Sequence, residues 1–457
     1  MIRPWPITLN IDLGNKDVPM YQALAEELQR LIESGLLQPG EALPSSRGLA
    51  QQLGISRKTV VTAMESLVYG GWVERRNRVG LFVCNRFTPH SDEAVSANAA
   101  SPDVSPMLEI DEGLPDISLV PSAELGRAYR QFLGCALRWT HHPEADPRGM
   151  PHLRQVIATA MCHSYGLCVD HSELLISSGI NQAIYLVAHA LLHPGDVVAV
   201  ESMILPVLAK AYESAGIELV RIAVDAEGLQ VNALAELLEQ NGRVRAVHVT
   251  PRVNYPTTAS LSAQRRQQLV GLVKAHNLLL VEDDFDGFFQ LSGTALPTLA
   301  SLLPKENYVY ANTAKRVLSP IVRIGFVASS AENIERMVAY KRCMEDVGDV
   351  VLERAILDMI EAGVMRRHIR RSIKVYIERL DYITQLIKKQ LKGKVIYHRP
   401  KAGLAIWLEM LEDPGPKLTS RGIKAPIFTL PNGCYGLRIG YASMTKDEID
   451  MLVEALG

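Results

Sequence analysis

The sequence predicts two domains of unequal size: a small helical domain closed by a β-hairpin, and a large α/β domain ending in a smaller α+β subdomain. Three observations carry this. A chain of 457 residues exceeds what one hydrophobic core usually supports. Residues 84–113, "CNRFTPHSDEAVSANAASPDVSPMLEIDEG", are rich in Ser, Ala, Pro and Asp and lack a sustained apolar period, which is linker composition. Beyond them, near-continuous apolar runs alternate with helical stretches, the pattern of a parallel sheet covered on both faces. The expected organisation is a first domain at 1–84, a linker at 85–112 and a second domain at 113–457. Within the second, 113–330 is mainly the large α/β part and 331–457 mainly the small subdomain.

The front domain reads helix by helix. Tyr21, Leu24, Leu28, Leu31 and Ile32 share one face of a first helix, which Gly35 ends. Pro44 and Ser45 open a short second helix with Leu49 and Leu53 inward, stopped by Gly54. Ser56 is a good N-cap for a third, on which Val60, Met64 and Leu67 recur at helical spacing. Two helices joined by a tight glycine turn form a helix-turn-helix unit, whose second helix enters a DNA major groove by its N-terminal residues. Arg57, Lys58, Thr59 and Thr62 occupy that side here, and Ser46 and Arg47 open the preceding helix. "WVERRNRVGLFV" then gives two short strands around a basic turn of Arg75, Arg76 and Arg78, with Gly80: a wing. Singly, such charges are usually a solvated surface; the ordered set is far more specific.

The large domain offers strand-like "LLIS", "DVVAVE", "ELVRIAV", "RAVHVT", "NLLLVED", "NYVYAN" and "RIGFVA". After residue 331 the pattern turns helix-rich, then gives "AIWLEM", "YGLRIGY" and a last helix. Gly179, Ile180 and Asn181 begin a helix, where free backbone N–H groups suit a phosphate. "LLLVEDDFDGFF" ends a strand in carboxylates, Asp283 among them.

Composition sets the remaining bounds. Net charge is −2, so any nucleic-acid contact needs a local basic patch. The six cysteines form no CxxC pair, which favours a reduced chain without structural zinc; Cys162 and Cys168 are expected as buried hydrophobes. His141, His142 and His163 lack metal-ligand spacing, and no metal is expected. No signal-peptide core or membrane-length apolar run is seen, so a cytoplasmic protein without membrane contact is expected.

The front block, on "LPSSRGLAQQLGISRKTV", closely resembles the GntR-type winged helix, although its wing reads "RVGLFV" where that family usually has "GSGTFV". The resemblance implies Arg47, Arg57 and Thr59 as DNA contacts, with Gly80 at the wing. Residues 113–457 resemble a fold-type I, pyridoxal-phosphate-dependent aminotransferase domain. The whole chain looks like a MocR-type regulator, a GntR subfamily in which that domain senses cofactor and amine or amino-acid effectors, usually as a head-to-tail dimer. Operator DNA, a small-molecule effector and a second copy of the chain are thus the implied partners.

The resemblance also locates the lysine that would bind the cofactor's aldehyde, seven residues before the phosphate arginine. Anchored on Tyr310, Pro320, Arg323 and Gly325, "YANTAKRVLSPIVRIGFV" puts Arg316 there and Lys315 in the preceding place. Arginine stays protonated and forms no imine. Phe285 lacks a hydroxyl for the ring oxygen, Leu205 stands where a stacking tyrosine is usual, and Arg252, Val253 and Asn254 replace Ser-His-Gln. Asp283, Arg323 and Arg438 remain, implied for pyridine nitrogen, phosphate and substrate carboxylate respectively. Pyridoxal 5'-phosphate is therefore implied by family, and covalent attachment is not expected. Cofactor or effector residues are Ile180, Asn181, Asn254, Asp283, Lys315, Arg316, Arg323 and Arg438.

Two readings of Arg316 stand side by side. It plugs a dead pocket through an ion pair with Asp283 or Asp286, or it joins Arg252, Arg323 and Arg438 on a phosphate or dicarboxylate. The expected function is a DNA-binding regulator with a catalytically inactive aminotransferase-like domain that dimerises and senses an effector. The alternatives are a working aminotransferase with a DNA-binding domain, or a ligand-free dimerisation scaffold.

Overall fold

A computed structural model describes residues 20–33, 36–38, 40–69, 71–76, 80–84, 108–134, 146–293, 296–318 and 322–457. The chain divides into two compact units, Met1–Pro102 and Asp103–Gly457.

In the first unit, α1 (Met20–Glu33), α2 (Ser46–Leu53) and α3 (Arg57–Tyr69) precede the antiparallel pair β1 (Val73–Arg76) and β2 (Gly80–Val83). Leu24, Leu28, Leu49, Val60, Met64 and Leu67 make its core, as helical spacing requires. Tyr21, expected on the inward face of α1, is instead 39 % exposed at the first turn, where the ring can keep its hydroxyl in water. Ser45 caps α2 by accepting from the Gly48 amide at 3.1 Å, and Gly54 ends it in the left-handed region at φ 65°. Ser56 likewise accepts from the Thr59 amide at 3.1 Å. Gly35 and Arg78 lie outside the described residues.

The second unit is built on a seven-stranded sheet. Its strands are β3 (Leu174–Ser177), β4 (Val197–Glu201), β5 (Glu218–Ile222), β6 (Val244–Val249), β7 (Leu279–Asp283), β8 (Tyr308–Thr313) and β9 (Gly325–Ala328), in the order β3-β9-β8-β7-β6-β4-β5. Each comes from one of the seven apolar runs. The sheet is mixed rather than wholly parallel: β9 pairs antiparallel with both β8 and β3. Only residues 314–324 separate β8 from β9, too few for the helical crossover that a parallel neighbour needs. Helices such as α4 (Ile180–Ala190) and α5 (Ala263–Ala275) flank the sheet, and its strands are nearly all buried. A four-stranded antiparallel sheet follows: β10 (Val395–Tyr397), β11 (Ile406–Met410), β12 (Ile427–Thr429) and β13 (Tyr435–Ile439), ordered β10-β11-β13-β12.

Two further departures matter. Residues 108–112 have linker composition, yet Leu108–Glu109 pairs in parallel with Ile423–Lys424, and the Asp111 carboxylate accepts from the Gly113 and Leu114 amides at 2.6 Å each. The isolated Leu108 and Ile110 find a core only in three dimensions. Cys162 and Cys168, expected as buried hydrophobes in a reduced chain, are instead joined by a disulfide, and Cys168 is exposed. Gly166, at φ 68°, reverses the chain after a helix end and brings the two side by side.

Among the described residues, no helix is long and apolar enough to cross a membrane, and no group of three His, Cys, Asp or Glu residues is arranged to hold a metal.

Candidate functional site

In the first unit, the groups singled out for DNA gather at the starts of α2 and α3. Arg47, Arg57 and Lys58 are exposed. The Arg57 Nε donates to the Ser46 hydroxyl at 3.5 Å, tying the two helix starts together. Thr59 Oγ1 lies 2.8 Å from the Ser56 hydroxyl, and Thr62 donates to the Lys58 carbonyl at 3.0 Å. These bonds fix the short side chains and leave Arg47 and Lys58 free to extend towards phosphates or base edges. Arg75 is exposed on β1, and Gly80 opens β2 at φ 141°, a conformation that L side chains rarely adopt.

In the second unit, the candidate residues divide among three places. Asp283 ends β7, 3 % exposed, with its Oδ2 3.7 Å from His248 Nε2 and its Oδ1 without a hydrogen bond. Burial pushes its carboxyl above the ordinary range, against the pull of His248. His248 Nδ1 in turn lies 3.2 Å from the Tyr212 hydroxyl. Nearby, Glu201 accepts from the Thr250 hydroxyl and, at 3.1 Å, from its amide; burial pushes it up to about 7. Asn254 is buried, donating to Thr250 Oγ1 at 3.2 Å and accepting from Thr257 at 2.7 Å. Between Asp283, His248, Glu201, Leu205, Tyr255 and Phe285, a cavity of about 20 Å³ remains, little more than one water needs.

Arg316 forms the second place. It lies on a single 3-10 turn after β8, donates to the Gly113 carbonyl, and holds its Nε 3.5 Å from Asp286 Oδ1. Its guanidinium covers the Phe285 ring, 5.3 Å from the centroid. Arg438, on β13, meets the same carboxylate from the other side, its Nη2 3.6 Å from Asp286 Oδ2. Arg438 is fully buried, donates to the Glu112 and Pro256 carbonyls at 2.9 and 2.7 Å, and lies over Tyr255. Burial lowers its pKa to about 10, which leaves it charged at neutral pH. Asp286 makes no hydrogen bond through either carboxylate oxygen, and burial pushes its carboxyl up despite two guanidiniums. Of the two carboxylates that sequence offered Arg316, Asp286 is its partner.

Arg323 stands elsewhere, exposed, with Ser178 on an open cavity of about 310 Å³ that also meets Lys341 and Glu353. Ser178 lies two residues before Ile180, the first residue of α4, so Arg323 meets the approach to that helix start, apart from the Asp283 cavity. Ile180 is half-buried and Asn181 exposed on the first turn of α4. Lys315 is exposed as a whole, and partial desolvation of its amine, with the Arg316 and Arg323 charges nearby, lowers its pKa.

The four arginines therefore do not converge. Arg252 turns to Asp284, its Nε 3.0 Å from Oδ1, and lies over Tyr165. Sequence reasoning missed this pair, as it missed His248, Glu201 and the Glu112 and Gly113 carbonyls. Backbone acceptors carry no sequence signal, and the His248–Asp283 contact joins two different strands.

A winged helix followed by an aminotransferase fold is the domain pair of a transcription regulator with an aminotransferase-like unit. Residues 20–83 match the bacterial regulatory proteins of the gntR family, and residues 142–456 match aminotransferase class I and II. With both matches in this order, the chain belongs to the aminotransferase class I and II family over its second unit and, as a whole, to the MocR-type gntR regulators.

Two curated relatives agree. The HTH-type pyridoxine biosynthesis transcriptional regulator PdxR of Corynebacterium glutamicum is 29 % identical, over 84 % of this chain and 81 % of its own. The probable rhizopine catabolism regulatory protein MocR of Rhizobium meliloti is 25 % identical, over 85 % and 81 %. Among solved structures, the kynurenine aminotransferase of Pyrococcus horikoshii superposes with a TM-score of 0.70 at 22 % identity, covering 77 % of this chain and 91 % of that one. That likeness establishes the fold.

Proposed function

We propose that this chain is a cytoplasmic, operator-binding regulator whose aminotransferase-like unit pairs as a homodimer and senses a small anionic or amino-acid-like effector without forming an imine. One observation supports the reading: Arg316, which the spacing back from Arg323 puts in the lysine's place, is clamped by the Gly113 carbonyl and Asp286. Arginine cannot condense with an aldehyde, so no covalent intermediate forms there.

The residues present do not fit covalently held pyridoxal phosphate. Asp283 Oδ1 would accept a ring N–H. Against it stand the missing amine, the missing hydroxyl at Phe285, and a cavity of about 20 Å³ where a ring would lie. Arg323, implied for the phosphate, opens onto a different cavity.

The Arg316–Asp286–Arg438 cluster suits an effector carboxylate. An entering carboxylate would exchange for Asp286 between two guanidiniums, a substitution of like for like that changes what holds β13 to the large sheet. A ligand that prefers one dimer arrangement then shifts the spacing of the two winged helices, and with it operator affinity.

Incubation of the purified protein with pyridoxal phosphate, borohydride reduction and mass analysis test the imine. No reduced adduct is expected, and one on Lys315 would overturn the reading. Thermal-shift screening with amino acids and dicarboxylates tests the effector, since a true ligand stabilises the folded state. If none of them shifts the transition, the unit is a scaffold.

A further inference from the structure

A second cavity, of about 470 Å³, lies in the same unit and shares no lining residue with the Asp283 cavity. The start of α5, Arg252, Gln290, Ser292 and Lys401 are among the residues that wall it. Its size is that of a small-metabolite site.

Its charge arrangement is unusual. Arg266 is 6 % exposed, and among the described residues its only hydrogen bond goes from Nη2 to the Pro297 carbonyl. Its guanidinium lines the cavity, where the nitrogens that make no bond to the protein can meet an anionic ligand's oxygens. Burial lowers the Arg266 pKa; the nearby Glu282 carboxylate draws it back up, and the Arg252 charge pushes it further down. Lys401, exposed at the rim, adds a third cation.

The start of α5 contributes further. Ser262 caps it, so the Ala263 and Gln264 amides precede the first intrahelical donor, at the positive end of a 13-residue helix. Two acids share the wall, and one of them, Glu282, is also a counter-charge to Arg266. Glu282 accepts from the Leu299 and Ala300 amides at 3.1 and 2.8 Å, and burial raises it to about 7. Glu227 is drawn to Arg265, 3.7 Å away.

We propose that this cavity is a binding site for a phosphate dianion, free or borne as a monoester on a small hydroxylated molecule. Arg266 and the α5 amides would receive the phosphate oxygens, Lys401 would close the rim, and Gln290 and Ser292 face the remainder of the ligand. The site does not depend on the function proposed above.

Calorimetric titration of the full chain with inorganic phosphate, glycerol 3-phosphate and succinate tests it without DNA. One saturable site per chain is expected for both phosphates and none for succinate at this cavity. Tighter binding of glycerol 3-phosphate identifies the monoester as the ligand class; equal binding identifies free phosphate. Arg266→Gln should weaken binding at least about tenfold. Because Arg266 is buried, the exposed Lys401→Ala provides the companion variant, with a loss of about three- to tenfold. Asp286→Asn should leave phosphate binding intact, which separates this site from the Arg316–Arg438 cluster. Absence of saturable heat from either phosphate, or unchanged affinity in folded Arg266→Gln and Lys401→Ala proteins, overturns the proposal.

Discussion

Asp286 is the group whose removal says most about the second unit. It is wholly buried between Arg316 and Arg438, 3.5 and 3.6 Å from their nitrogens. Asp286→Ala leaves Arg438, itself wholly buried, without its counter-ion. Breaking a buried pair in this way costs about 3–5 kcal/mol. Here the lower end is expected, because Arg438 keeps its two carbonyl acceptors and the Tyr255 face, and Arg316 keeps the Gly113 carbonyl. An unfolding entropy of about 2 cal/mol/K per residue makes 3 kcal/mol worth roughly 4 °C in the Tm of a unit this size. Differential scanning calorimetry should show that loss in the transition of the second unit. Acetate or formate, filling the vacated carboxylate position, should restore part of it in the variant and have no such effect on the parent protein. An unchanged Tm would refute the claim that Asp286 neutralises Arg438. Loss without carboxylate rescue would sink the exchange of Asp286 for an effector.

Three further outcomes are expected. Glu201, raised from an ordinary 4.5 to about 7 by burial, favours its proton when folded; its contribution is therefore present below pH 4.5 and lost as pH rises through 7. Glu201→Gln should remove about 3 kcal/mol of that pH dependence, read as a flatter Tm profile than the parent's between pH 4.5 and 7. Gly149→Ala should destabilise by about 2 kcal/mol or more, since φ is 96° and an added Cβ would meet Ile176 Cγ1 at 2.3 Å; a Tm within a degree of the parent's argues against it. Lys58→Ala should weaken operator binding and reduce the salt slope by about one, measured by fluorescence anisotropy at several ionic strengths. An unchanged slope would remove Lys58 from the phosphate contacts.

Much of this molecule is legible along the chain. The seven apolar runs become the seven strands of the large sheet, and Ser45, Gly54 and Ser56 bound α2 and α3 as capping chemistry requires. Periodicity and caps act between residues a few positions apart, so a sequence displays them directly. The arginine at position 316 is equally a matter of spacing, counted back from Arg323. Its consequence is elementary chemistry, because a guanidinium is not an amine that condenses with an aldehyde.

What depends on through-space pairing emerged only in the folded chain. Sequence offered Arg316 two carboxylates, and the fold selected Asp286 by bringing Arg438 to it from a strand 152 positions away. Arg252 turned from the expected cluster towards Asp284, the short β8–β9 connection set one strand antiparallel, and the turn at Gly166 joined two cysteines of no recognisable motif. Charges pair with whichever partner the packed backbone brings within a few ångströms, and burial then makes that choice energetically decisive. Residue order determined which groups this protein carries; the tertiary structure decided which of them meet.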